Sequence, residues 1–222
     1  MKKRLYILIL LTFTALSFSQ ETAISDTKTK TIQASNLYLG FGPILNINTK
    51  DNSAPSPILY TLGVGYDIPI KPWVSFAPQG IFYVSTYLWD EDLEMALPAE
   101  IENRTAYVPT LLVDFPANFK IKKKNFEIGI QPGISFLLCY GITAFGVDNV
   151  DDDIANINTW FYSNAQFIYP SLKVSFDWTF LSGIKAGISI AQYLSIGSII
   201  NNTFPQEMKT AGSFRIFLPQ RK

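Results

Sequence analysis

Residues 58–68 read ILYTLGVGYDI, and this stretch decides the fold. Ile58, Tyr60, Leu62, Val64, Tyr66 and Ile68 fall on one side of an extended chain, and Leu59, Thr61, Gly63, Gly65 and Asp67 on the other. Successive side chains of a strand point to opposite faces, so this two-residue period predicts a strand with one large apolar face and one smaller, more polar face. Residues 126–138 repeat the pattern. Phe126, Ile128, Ile130, Pro132, Ile134, Phe136 and Leu138 share a face, against Glu127, Gly129, Gln131, Gly133 and Ser135.

Working outward, the alternation predicts eight strands, at 36–47, 57–69, 73–88, 105–119, 126–142, 161–179, 184–194 and 210–218. Many exceed the roughly 5–6 residues of an ordinary strand and reach the roughly 9–11 that a tilted membrane-crossing strand needs. The connections 70–72, 120–125 and 180–183 are short, while 48–56, 89–104, 143–160 and 195–209 are longer and polar. Such alternation is expected of an up-and-down transmembrane barrel with turns at one end and loops at the other.

The less apolar face separates a membrane barrel from a soluble one. It carries Gly63, Gly65, Ser75, Gln79, Thr110, Gly129, Gln131, Ser135, Ser171, Ser175 and Ser189, with few of the Lys and Glu that a watered sheet would display. The strand-borne charges Asp67, Asp114, Glu127, Lys173, Asp177, Lys185 and Arg215 all fall on it. The opposite face, Leu37 through Leu218, carries none. Arg or Lys at the midplane of lipid costs about 2–4 kcal/mol, so a charge-free face is the one expected to meet hydrocarbon. The charges on the other face then share a narrow lumen and are expected to pair there, Asp114 with Lys173 among them, because an unpaired buried charge is very costly. They are expected either to rigidify the interior or to line a narrow pore.

Aromatic residues gather near the strand ends: Tyr66, Trp73, Phe119, Phe126, Trp178 and Phe180 by the short turns, and Tyr87, Trp89, Tyr107, Tyr140, Trp160 and Tyr162 by the long loops. Two interfacial girdles are expected of such a barrel. Six strand prolines, Pro43, Pro78, Pro109, Pro116, Pro132 and Pro170, run against the pattern, since each removes a ladder donor.

Composition agrees. Of the 222 residues 48% are hydrophobic and only 16% charged, with a formal charge of zero. A basic face for nucleic acid is lacking, so no nucleic-acid partner is expected. Lys2, Lys3 and Arg4 precede the apolar run Leu5 to Phe13, and small Ser17 and Ser19 follow. This predicts a signal peptide over 1–19, a flexible periplasmic lead-in over 20–35, and a barrel over 36–222. There is no histidine. That removes imidazole catalysis and most zinc sites, and the chain is expected not to be an enzyme and to need no cofactor or metal. Cys139 sits among apolar residues and is expected to be inert.

The stretches Thr61-Leu-Gly-Val-Gly-Tyr-Asp67, Ser75-Phe-Ala-Pro-Gln79 and Val108-Pro-Thr-Leu-Leu112 resemble small outer-membrane β-barrels of the OmpX, OmpW and OmpA-barrel type. These belong to the broad outer membrane protein beta-barrel domain group of Gram-negative bacteria and spirochaetes. The resemblance spans residues 36–218. It implies an envelope protein of the outer membrane with a periplasmic N-terminus, with outer-membrane lipid and the barrel-assembly machinery as partners. One departure is the ending: Phe214, Ile216 and Leu218 alternate, but Pro219-Gln-Arg-Lys222 follows the last strand in place of a terminal aromatic.

The acidic residues Asp90, Glu91, Asp92, Glu94, Glu100 and Glu102, and Asp148, Asp151, Asp152 and Asp153, lack the ligand spacing of a calcium loop and are expected to be solvated surface. Lys120, Lys122, Lys123 and Lys124 are expected in a turn. The function expected is a structural or surface-interaction role in the envelope, with surface ligands meeting loops 89–104 and 143–160. A narrow channel for small or hydrophobic solutes, or a soluble secreted barrel holding an apolar ligand, are the alternatives.

Overall fold

Alternating strands must satisfy every backbone N–H and C=O, and in this chain they do so by closing on themselves. The computed structural model describes residues 34–49, 57–100, 105–142, 151–163, 165–180 and 184–219. The expected signal peptide and residues 20–33 of the lead-in lie outside the described residues.

Among the described residues eleven strands form in chain order: β1 (Ala34–Asn46), β2 (Ile58–Tyr66), β3 (Ile68–Lys71), β4 (Val74–Phe76), β5 (Gln79–Asp90), β6 (Met95–Pro98), β7 (Ala106–Lys123), β8 (Phe126–Cys139), β9 (Ile168–Thr179), β10 (Lys185–Tyr193) and β11 (Lys209–Pro219). Among the described residues two helices join them, α1 (Asp151–Tyr162) before β9 and α2 (Ile196–Ile200) before β11. Eight strands make the ring β1, β2, β5, β7, β8, β9, β10, β11, each antiparallel to its neighbours. Pairing of β5 with β7, from Gln79↔Asp114 to Tyr87↔Ala106, and of β11 with β1, such as Ile216↔Leu39, closes it. A closed ring leaves no strand edge in lipid, where an unpaired backbone group costs several kcal/mol.

The largest corrections to the expected strand boundaries are three. The 57–69 and 73–88 strands each break in two, because β3 and β4 leave the ring as a hairpin whose β4 pairs with the far end of β7. Pro78 marks the second break, and its carbonyl still accepts from Tyr66 N. The strand expected from residue 161 starts at Ile168, since 161–162 end helix α1. β7 runs on to Lys123, so Lys120, Lys122 and Lys123 are strand residues, and the turn is only 124–125.

One strand proline fits because its partner is small. Pro116 faces Gly133, and a Cβ on that glycine would lie 2.8 Å from Pro116 Cα. Carbonyls of Pro109 and Pro170 accept from Tyr140 N and Leu194 N.

Burial runs opposite to that of a soluble protein. Outward residues are large and exposed: Leu39, Phe41, Leu62, Val64, Phe82, Leu111, Phe115, Ile134, Leu172, Phe176, Ile188 and Ile216. Inward residues are buried and in good part polar: Thr110, Asp114, Gln131, Ser135, Lys173, Ser175, Asp177 and Arg215. Near the loops the interior turns apolar. Ile44, Tyr83, Tyr87, Leu97, Val108, Leu112, Leu137, Ile157, Phe161, Tyr169 and Tyr193 form one buried cluster.

The lower aromatic girdle is present, with Tyr66, Trp73, Trp178 and Phe180 exposed near the turns. The upper one is divided. Tyr140 and Tyr162 are exposed, whereas Tyr87 and Trp160 are core residues. Helix α1 causes the difference. Its Ile154, Ile157, Trp160 and Phe161 follow helical spacing and pack into the apolar cluster, with Tyr87 and Phe161 edge to face at 4.8 Å.

Candidate functional site

The seven charged residues singled out in the sequence sit on one inner surface. Asp114 projects from β7, Glu127 from β8, Lys173 and Asp177 from β9, Lys185 from β10 and Arg215 from β11, with Asp67 just after β2. Lys173 Nζ lies 3.5 Å from Asp114 Oδ2. The same carboxylate accepts from Gln79 Nε2 at 2.8 Å, Ser135 Oγ at 2.9 Å and Ser171 Oγ at 3.0 Å. A carboxylate with no solvent exposure is thus fully hydrogen-bonded, as the low dielectric demands.

Closer to the termini a second set links up. Arg215 Nη2 donates to Asp177 Oδ1 at 2.6 Å. Lys185 bridges Asp177 at 3.5 Å and Glu127 at 3.1 Å. Glycine makes the Arg215 contact possible. Gly187 lies between Asp177 and Arg215 in the register, and a Cβ there would collide with Asp177 Oδ1 and Phe176 O. Arg215 therefore reaches over β10 to β9.

Tyr38 performs the matching step on the other side. Its ring covers Gly65, where a Cβ would overlap it, and its hydroxyl donates to Gln79 Oε1 at 3.0 Å. The Arg215 guanidinium lies 5.3 Å from the Tyr38 ring centroid, a cation–π distance. One continuous network therefore runs from Asp177 through Arg215, Tyr38 and Gln79 to Asp114 and Lys173.

Sequence reasoning missed Lys120. Expected in a turn, it instead faces the lumen, pairs with Asp67, and stands 3.8 Å from Glu127; Ser75 Oγ also donates to Asp67. The signal was available, because Lys120 has the same even numbering on β7 as inward Thr110, Asp114 and Asn118. With it the lumen set holds four acids (Asp67, Asp114, Glu127, Asp177) and four bases (Lys120, Lys173, Lys185, Arg215), so their formal charges cancel.

A second omission is the pair Glu207 and Lys209, fully buried and 2.9 Å apart, with Tyr87 Oη donating to Glu207 at 2.9 Å. The last strand was expected from 210, one residue too late to include Lys209.

A cavity of about 20 Å³, bordered by Tyr38, Gln79, Lys173, Ser189 and Tyr193, has room for about one water. Above it α1 packs onto the apolar end of the interior. Tyr162 Oη donates to Cys139 O at 2.7 Å, and Asn158 Oδ1 accepts from Gly141 N at 2.7 Å, tying the helix to the end of β8. Cys139 is a buried packing residue beside this tie.

At the loop end a larger cleft opens outward between the β5–β6 hairpin and α1. It has a volume of about 440 Å³ and is lined by Trp89, Glu91, Glu94, Asn156, Thr159, Trp160 and Ser163. Asp152 is exposed in the first turn of α1, while Asp148 and Glu102 lie outside the described residues. Loop 143–160, expected to be a polar connection, is helical from Asp151 onward.

A closed antiparallel ring with an apolar outer face and a polar, self-neutralised interior defines a membrane-spanning β-barrel of the outer-membrane class, and the chain is an outer-membrane barrel of the cell envelope. No protein-family model and no curated protein matches it. Among solved structures it is similar to the outer membrane enzyme PagL, at 14% identity over 83% of this chain and 99% of that one, with a TM-score of 0.43. It is also similar to Ail, the attachment invasion locus protein of Yersinia pestis. In complex with the heparin analogue sucrose octasulfate, Ail gives 7% identity over 83% of this chain and 98% of that one, TM-score 0.43. In a phospholipid bilayer nanodisc the values are 7%, 83%, 99% and 0.40.

The expectation that the chain is not an enzyme is corrected here, since one of these similar barrels is itself an enzyme. Lack of histidine removes imidazole mechanisms only. A barrel scaffold does not decide whether its surface is catalytic.

Proposed function

We propose that the chain is a closed barrel that acts through its loop-end surface, as a surface-interaction component of the envelope. The observation that carries this reading is the filled interior. Its four acids and four bases pair across the lumen, the residual cavity holds about one water, and α1 packs onto its apolar end. A solute would have to separate buried ion pairs to pass, at a cost of about 3–5 kcal/mol for each partner stranded. The narrow-channel reading therefore ranks below it. A soluble barrel holding an apolar ligand has less support, since the large apolar side chains face outward.

In this reading the turns and termini face the periplasm, and residues 89–100 and 151–163 face the exterior and its ligands. Planar-bilayer recording tests the proposal. The refolded chain is expected to give no reproducible single-channel steps, whereas steps that persist in purified, heat-modifiable protein would overturn it.

A further inference from the structure

We propose that the cleft between the β5–β6 hairpin and helix α1 is a binding site for an organic ammonium ion, with the indoles of Trp89 and Trp160 as its floor and Glu91 and Glu94 as its counter-charge. The proposal rests on the reading that this end of the barrel faces outward into water.

The site is built rather than incidental. Trp89 pairs with Ala96 in the β5–β6 ladder, and Asp90 Oδ1 accepts from Leu93 N at 2.9 Å to fix the turn between the two strands. Glu94 takes a φ of 49°, the left-handed conformation with which this turn ends. Trp160 is only 8% exposed and is held edge to face by Phe161 at 5.2 Å, within the apolar cluster. Half-buried Trp89 and the buried Trp160 thus both border an open cleft of about 440 Å³.

Charge selects the ligand class. Glu91 and Glu94 are exposed, form no ion pair among the described residues, and no lysine or arginine lines the cleft. An anion would be repelled. A small metal ion is strongly hydrated and would gain little from an indole face. A weakly hydrated alkylammonium group gains from both the ring quadrupole and the carboxylates, the combination used in aromatic cages. Asn156, Thr159 and Ser163 on the helix side can hydrogen-bond a hydroxyl or amide carried by the same ligand.

Titration of the full chain in polyoxyethylene micelles with choline, followed by tryptophan fluorescence, tests this. Saturable quenching is expected, with 3,3-dimethylbutan-1-ol, the neutral isostere, giving none. The double variant Glu91→Gln, Glu94→Gln is expected to bind roughly tenfold more weakly, since two exposed charges are removed at close range. No saturable change with choline at tens of millimolar, equal response to the neutral isostere, or undiminished binding by the double variant would each overturn the proposal. Heat-modifiable gel mobility, measured on every sample, reports the barrel separately. Loss of that mobility in the unaltered chain would count against the barrel reading, whereas failed choline binding with mobility intact counts against the cleft alone.

Discussion

Below the level of Asp114 the barrel interior is a lattice of charges, and above it the interior is a cluster of tyrosine, phenylalanine and aliphatic side chains around a single buried ion pair, Glu207 with Lys209. The two halves belong to the same strands. On β5 the change is visible residue by residue. From Gln79 to Val84 exposure alternates or is partial, and from Ser85 to Leu88 every residue is buried. The medium outside differs between the halves. Where lipid surrounds the wall, apolar side chains gain nothing by turning inward, so they face out and the polar ones must satisfy one another inside. Where the wall rises into water, apolar burial regains its driving force. Strand β6, residues 95–98, is then buried on both faces, and α1 packs onto the apolar end of the interior.

Substitutions can break this contrast, and the largest effect is expected in the charged half. Arg215→Met strands Asp177 beside Lys185 alone and removes the cation over Tyr38, which should cost about 3–5 kcal/mol in urea-induced unfolding from vesicles. Adding Asp177→Leu should restore part of that loss, because the stranded charge goes with it. A single-variant loss within experimental error would mean that the lattice is not what holds this half.

Phe161→Ala should cost about 3 kcal/mol in the apolar half, by truncating a buried ring. Its effect should be local. Proteolysis and hydrogen exchange near α1 should accelerate while the heat-modifiable mobility stays unchanged, and a shift in mobility would show the two halves to be one cooperative unit.

Leu62→Arg, on the outer face, should cost about 2–4 kcal/mol in vesicles, the expected cost of a charge at the lipid midplane. Equal stability of that variant would place the outer face in water. Lys122→Ala is the smallest change. Lys122 is exposed beyond the lattice, and the midpoint should move by less than about 0.5 kcal/mol. A larger shift would extend the lattice by one more cation.

Much of the lumen was legible because numbering parity is preserved along a strand. Asp114, Glu127, Lys173, Asp177, Lys185 and Arg215 could be assigned to one surface from residue numbers alone. Lys120 and Lys209 were lost only where a strand end was drawn too short, since strand ends carry no periodic signal. Tyr38, and the bonding role of Gln79 on the lumen face, were harder to find. Neither is charged, and their role comes from neighbours distant in sequence, Gly65 between them and Asp114 beyond. Helix α1 was hidden by its own acidic start, 151–153, which resembles a polar loop. The spacing of Ile154, Ile157, Trp160 and Phe161 was the available sign of a helix.

The sequence by itself determined that ILYTLGVGYDI and its companions would be strands with one charge-free face, because strand periodicity and the cost of charge in lipid act on each segment locally. Only the tertiary structure decided which charges meet, that β3 and β4 leave the ring, and that α1 packs onto the apolar end of the interior and shapes a cleft with the β5–β6 hairpin. Those outcomes depend on register and closure between residues far apart in the chain, where a single glycine such as Gly187 determines whether Arg215 can reach Asp177.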